Sequence, residues 1–235
     1  MNIILFDRDE REFTKGDERY DHLRNVLHAK EGSTFRGGII NAERGECTVT
    51  SLTGEGVSFS FVPEKEDSSL FPLTVILAMV RPICMKRILR ELVSLGVSRI
   101  ILTTSELGEK SYRSSGLYTE GEYRKIMLSG AMQGGHTGVA ECIFAGSVRE
   151  AVSLADPGLH LLLDNVVGSV RFSSLELEKG SVTLAIGPER GWSEKERMLF
   201  LESGFIPTVM GNHILRTETA AVAAVALALE RMGKI

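Results

Sequence analysis

Two short segments near the C-terminus combine residue types that could hold a ligand. In the first, Ala185-Ile186-Gly187-Pro188-Glu189-Arg190-Gly191-Trp192-Ser193-Glu194-Lys195-Glu196, an apolar run breaks into a Gly/Pro turn. Glycines at 187 and 191 leave main chain bare, so a bound molecule could approach the backbone. Ser193 and Glu196 have S-x-x-E spacing, a capping box that starts a helix directly after the turn. The second segment, Met210-Gly211-Asn212-His213-Ile214-Leu215-Arg216-Thr217-Glu218-Thr219-Ala220, runs into an Ala- and Val-rich helix reaching Met232. Arg216, Thr217, Glu218 and Thr219 fall at its start, where amide groups and the helix dipole favour a polar ligand. Plainer uses are open to the same residues: an ordinary turn, a threonine cap, or an arginine paired with a nearby carboxylate.

Both segments need elements to carry them. Residues 34–62 alternate at period two and turn often, which predicts short antiparallel strands of a small barrel or sandwich, preceded by a short helix around Leu23, Val26 and Leu27. The polar stretch 63–69 has linker chemistry and sets the expected domain boundary. Beyond it, apolar runs alternate with amphipathic ones: strands near 73–80, 100–102, 142–144, 159–163 and 182–186, with helices near 85–95, 120–132 and 148–155. Gly96 stands where a helix C-cap belongs. Such an order predicts an α/β domain with a mostly parallel sheet, which places both segments at strand ends, where open sheets bind ligands.

Composition narrows the function classes. Apolar residues make up 43% of the 235 and charged ones 25%, a globular balance. The apolar runs at 161–163 and 220–229 fall short of the roughly 20 residues a membrane helix needs, so no membrane association is expected. Met1-Asn2-Ile3-Ile4-Leu5-Phe6 meets Asp7-Arg8-Asp9-Glu10 without a basic region or cleavage site, which points to the cytoplasm. Cys47, Cys84 and Cys142 lie far apart and form no CxxC, so neither disulfides nor a metal site is expected. The net charge of -4 is unusual for a nucleic-acid binder. Its excess acid sits early: 9 Lys and Arg face 14 Asp and Glu up to Leu70, against 18 and 17 beyond. No G-x-G-x-x-G follows a strand and no P-loop is present, which removes the nicotinamide, flavin and nucleotide-hydrolysing classes.

Read together, Ile-Gly-Pro-Glu-x-Gly-Trp-Ser-x-x-Glu at 186–196 and Gly-x-x-Ile-Leu-Arg-Thr-Glu-Thr-Ala at 211–220 closely resemble the C-terminal signature of the RsmE family. That family methylates N3 of a uridine, U1498, in 16S rRNA. His22-Leu23-Arg24-Asn25-Val26-Leu27 with Gly32, Glu91-Leu92 to Gly96-Val97, and Gln133 are similar to its other motifs, so the likeness spans nearly the whole chain. The resemblance implies an α/β protein with a PUA-like small β-barrel for RNA binding at 1–68 and a SPOUT methyltransferase domain at 71–235 that carries a deep trefoil knot. It further implies S-adenosylmethionine as cofactor, a homodimer, and the 16S rRNA of the small ribosomal subunit, not DNA, as partner. By position, the cofactor residues are Leu163, Asp164, Gly187, Pro188, Glu189, Gly191, Trp192, Met210, Gly211, Ile214, Leu215, Arg216 and Thr219. Four positions depart from the family's pattern: His28, His136 and His213 replace arginines, and Arg190 replaces a glycine. A neutral imidazole lacks the permanent forked charge that an arginine offers phosphate, so these changes bear first on RNA affinity.

Methylating a uridine N3 requires an unstacked base, loss of the N3 proton, and stabilisation of the resulting anion. Arg216 is the candidate cation and Glu218 the candidate base. RNA contacts are expected from Arg24, Gln133, His136 and the cluster Arg81, Lys86, Arg87 and Arg90, and base stacking from Tyr112, Arg113 and Tyr118. Two other readings remain: a SPOUT ribose 2′-O-methyltransferase, and a non-catalytic RNA-binding or ribosome-assembly protein.

Overall fold

A computed structural model describes residues 1–67, 70–177 and 180–235. The chain forms two units, one of Met1–Ser69 with Leu128–Val139, the other of Leu70–Met127 with Ala140–Ile235.

In the first unit the alternating residues become β1 (Ile4–Phe6), β2 (Glu12–Thr14), β3 (Thr34–Ile39), β4 (Glu43–Leu52) and β5 (Gly56–Glu66). They form one sheet in the order β1-β3-β4-β5-β2, antiparallel except for β1 with β3. Phe59 centres its core, with Phe6, Phe13 and Phe35 rings within 5.6 Å of its centroid. Cys47 is buried in the same cluster, and burial pushes its thiol up to about 12. The predicted short helix is α1 (Glu18–Asp21) continued by one wide turn, His22–Val26, that buries Tyr20 and Leu23.

The expected linker is largely strand: 63–66 continue β5, because Arg36 pairs Glu64 at 2.6 Å and Arg44 pairs Asp67 at 3.1 Å along this polar edge. Its last residues, Ser68 and Ser69, lie outside the described residues. A contiguous split at 68 and 71 also passes over residues 128–139, which pack with the first unit. There Asn2 Nδ2 donates to the Gln133 carbonyl (2.6 Å), Thr137 Oγ1 to that of Ala42 (2.7 Å), and Val139 N to Asn41 Oδ1 (2.7 Å).

The second unit alternates strand and helix as the apolar periods require. Its elements are β6 (Phe71–Ala78), α2 (Pro82–Ser94), β7 (Val97–Thr103), α3 (Gly116–Thr119), α4 (Glu122–Gly134), β8 (Glu141–Ala145), α5 (Val148–Ser153) and β9 (Leu159–Leu163). Then follow β10 (Val170–Arg171), β11 (Val182–Ile186), α6 (Glu194–Glu202), β12 (Ile206–Val209) and α7 (Thr217–Arg231). Seven parallel strands lie in the order β10-β12-β9-β11-β6-β7-β8, and α4 runs on into the first unit. Chain order therefore reverses beside β6, the place where a parallel sheet opens a crevice at its C-terminal edge. The small residues Ala221, Ala224 and Ala228 are buried where α7 packs on α2 and β11.

Gly96 ends α2 as predicted, with φ +82°, and a Cβ there would lie 2.9 Å from the Phe71 ring. Gly96→Ala should therefore lower unfolding free energy by about 1–3 kcal/mol, through left-handed strain plus crowding. Urea denaturation checks this, and an unchanged midpoint would contradict it.

Candidate active site

The turn after β11 is held by its own backbone: Gly191 N donates to the Pro188 carbonyl at 2.8 Å, with Gly191 at φ +70°. Ser193 and Glu196 form the predicted capping box, Ser193 Oγ accepting from Glu196 N (3.2 Å) and Glu196 Oε2 from Ser193 N (2.8 Å). The other oxygen of Glu196 accepts from Glu106 N at 2.8 Å, tying the loop after β7 to α6. Glu196 is thereby satisfied although buried.

Thr217 does not cap α7. Its Oγ1 instead donates to the Gly187 carbonyl at 3.2 Å, which stitches the two motif segments together, while the helix begins at Arg216 without a side-chain cap. Thr217→Val keeps the volume and removes this bond, leaving a carbonyl short of a partner. A stability loss of about 1–2 kcal/mol is expected by thermal unfolding; a melting temperature equal to the parent's would show the stitch carries no weight.

Two clefts flank the loop before α7 and share Ile214 and Leu215. The first is a shallow, open cleft of about 100 Å³ between the loops after β9 and β12, and is lined by the predicted residues Leu163, Asp164, Met210, Gly211, Ile214 and Leu215. His213, one of the departures from the family's pattern, also lines this cleft. The second cleft brings Arg216, Glu218 and Glu189 together with Arg81, Cys84 and Tyr112.

Not every predicted residue faces a cleft. Gly187, Pro188 and Gly191 shape the turn. Trp192 is fully buried, its ring 5.0 Å from that of Phe200 in the core beneath the sheet, so only its backbone is placed toward the loop. Thr219 lies on an exposed patch with Arg87, Val222 and Ala226. The Asp164 carboxylate is already engaged: Oδ1 accepts from Val166 N (2.7 Å) and Val167 N (3.2 Å), and Oδ2 pairs with Arg197 Nε (2.9 Å).

In the second cleft Arg216 is exposed and has no ion pair among the described residues, so its guanidinium is free to meet a ligand. Glu218 Oε1 lies 3.8 Å from Cys84 Sγ, and burial, aided by Glu218 and Glu189, pushes that thiol upward. A hydrogen bond to Tyr112, with Glu189 nearby, holds the Arg81 guanidinium above its ordinary pKa. Cys84 and Glu106 were missed from sequence; their positions in the first turn of α2 and just after β7, at the C-terminal edge of the sheet, were the available signal.

The expected RNA residues divide between the units, with Arg24, Gln133 and His136 in the first and Arg81, Lys86, Arg87 and Arg90 in the second. Arg24 donates to the Tyr20 hydroxyl and the Thr53 carbonyl, and Lys86 pairs with Glu122 at 2.5 Å. Arg87 and Arg90 are exposed. Tyr118 is half-buried: its ring packs edge-on against Phe144 at 5.7 Å, and burial drives its phenol pKa upward, so the protein already engages part of the ring expected to stack on a base.

The second unit is thus a parallel-sheet α/β unit with two clefts around the loop before α7, and the RNA methyltransferase domain family matches residues 66–229. Ribosomal RNA small subunit methyltransferase E of Treponema pallidum is 37% identical, covering 97% of this chain and 91% of that protein. A protein named ribosomal RNA small subunit methyltransferase E 1, from Borreliella burgdorferi, is 29% identical over 95% of each chain. The chain belongs to the ribosomal RNA small subunit methyltransferase E family, as its C-terminal motifs led us to expect. Its fold is also that of the Neisseria gonorrhoeae ribosomal RNA small subunit methyltransferase E solved with S-adenosyl methionine, with TM-score 0.81 at 22% identity over 98% of this chain and 97% of that one.

Proposed function

We propose that this protein is an S-adenosylmethionine-dependent rRNA methyltransferase that acts on N3 of a uridine in 16S rRNA, U1498 by family precedent. The observation that carries the reading is the pair of clefts meeting at Ile214 and Leu215, one lined by Leu163, Asp164, Met210 and Gly211 and the other presenting Arg216 and Glu218.

The first cleft fits S-adenosylmethionine: Leu163, Ile214 and Leu215 offer apolar walls, and at Gly211 nothing lies within 4 Å of where a Cβ would stand, so bare backbone is open to the ligand. When bound, that cofactor supplies an electrophilic methyl group. Arg216 would hold the uracil oxygen and stabilise charge as N3 loses its proton, and Glu218 would accept the proton. Ile214 and Leu215, standing between the clefts, would limit water where the two ligands meet.

The knot, the PUA-like barrel, the division into RNA-binding and catalytic domains, and the homodimer belong to the same proposal. Supporting the knot, β11 inserts between β9 and β6 after the chain has already passed both. The five-stranded sheet with its phenylalanine core supports the barrel. The α2 and α7 patch bearing Thr219, Val222 and Ala226 supports a dimer face. Among the described residues no helix is long and apolar enough to cross a membrane. A ribosomal substrate would place the protein in the cytoplasm.

The test is mass spectrometry of 16S rRNA from a strain lacking the gene. One base methylation should disappear and return on complementation. An unchanged methylation pattern would refute the proposal, and a missing ribose methyl would transfer it to the 2′-O chemistry.

A further inference from the structure

Beside the acceptor cleft, and sharing Glu106 with it, lies a separate groove of the second unit. Four cations from three places in the fold line it: Lys110 and Arg113 from the segment after β7, Arg149 from α5 and Lys195 from α6. All four are exposed, and none has an ion pair among the described residues. Elsewhere in this acid-rich chain basic side chains commonly meet a carboxylate, as Lys86 meets Glu122 and Arg99 meets both Glu141 and Asp156. Of the acids on the groove, Glu196 spends both carboxylate oxygens on the backbone amides of Ser193 and Glu106. Two carboxylates, Glu106 and the hydrogen-bonded Glu196, thus face four positive charges, a net positive excess favouring a polyanion.

We infer that this groove binds the phosphodiester backbone of the RNA strand flanking the target nucleotide, while the base itself enters the acceptor cleft. The inference rests on the RNA methyltransferase reading for the identity of the polyanion. Its physical content is independent of catalysis: converging cations on a surface continuous with a base site neutralise successive phosphates, and each contact releases a counterion. Such contacts position the strand without reading its sequence. They also answer the net acidity of the chain, because binding needs only a local positive field.

The test uses the full chain carrying Lys110→Gln, Arg113→Gln, Arg149→Gln and Lys195→Gln together. Affinity is measured without cofactor, across a salt series, for a transcribed 16S rRNA fragment containing the target uridine and for an unrelated single strand of equal length. Both RNAs should bind at least tenfold more weakly at low salt, and the slope of log affinity against log salt should flatten by about 3, or about 0.7 for each lost phosphate contact. Calorimetry with S-adenosylmethionine should match the parent. If the fourfold variant fails to fold, the pair Arg149→Gln and Lys195→Gln should flatten the slope by about half as much. Parental slope and affinity would overturn the inference, as would weakening confined to the target fragment. A parent chain that transfers no methyl group would instead defeat the functional reading, with the salt slope still deciding whether this groove holds RNA.

Discussion

Arg216→Ala is expected to lower methyl transfer by about 100- to 1000-fold while leaving S-adenosylmethionine affinity within a few-fold of the parent. The magnitude is that of removing one donor aimed at a developing anion, about 3–4 kcal/mol. Affinity is spared because the proposed cofactor cleft is walled by Leu163, Leu215 and main chain around Gly211, whereas Arg216 lines the second cleft. The effect should fall on kcat, since a charge that grows only as N3 loses its proton is felt chiefly in the transition state. Arg216→Lys should recover part of the rate, because an ammonium carries the charge without the planar fork. Single-turnover assays with saturating cofactor and rRNA measure this directly. Full turnover by the alanine variant would remove Arg216 from the mechanism and send the search to Arg81, the other guanidinium on that cleft.

What was legible in the sequence was whatever a short period or a local cap encodes. The strands at 159–163 and 182–186 are read as drawn because a strand covered on both faces is a continuous apolar run. The Ser193 and Glu196 box is a four-residue code for a helix start, and it forms as written. In contrast, β12 was missed, since four residues containing Pro207 carry no period and proline argues against a strand interior. Residues 128–139 group with the first unit, a placement the sequence could not show because helix periodicity reports one buried face and not which core buries it.

The same limit governs the site. Motif spacing brought Gly187 and Arg216 to adjoining loops, but it could not say that Thr217 bonds across to Gly187 instead of capping its own helix. Nor could it say which members of a motif point inward. Trp192 and Asp164 belong to the motif neighbourhood, yet one is core and the other a structural ion. A resemblance transfers positions; side-chain directions depend on packing that no local code specifies.

That distinction gives Asp164 the largest expected effect on stability. Its carboxylate is only 3% exposed and Arg197 16%, so both charges of the pair have given up most of their water. The energy returned comes from the 2.9 Å contact with Arg197 and from two backbone amides, of Val166 and Val167, which the carboxylate also gathers into a turn. Asp164→Ala strands a guanidinium beside Gly191 and opens that turn at the rim of the cofactor cleft. Breaking one side of a buried pair costs about 3–5 kcal/mol. For a chain of this length the melting temperature should fall by on the order of 10 °C. Asp164→Asn should lose less, since its amide oxygen can still accept from Val166 and Val167. Adding Arg197→Met to the alanine variant should recover stability, because it removes the charge left without a partner. If the double variant were as unstable as the sum of its parts, the penalty would lie in the opened turn and not in the orphaned cation, a separation that thermal melts of the four proteins would resolve.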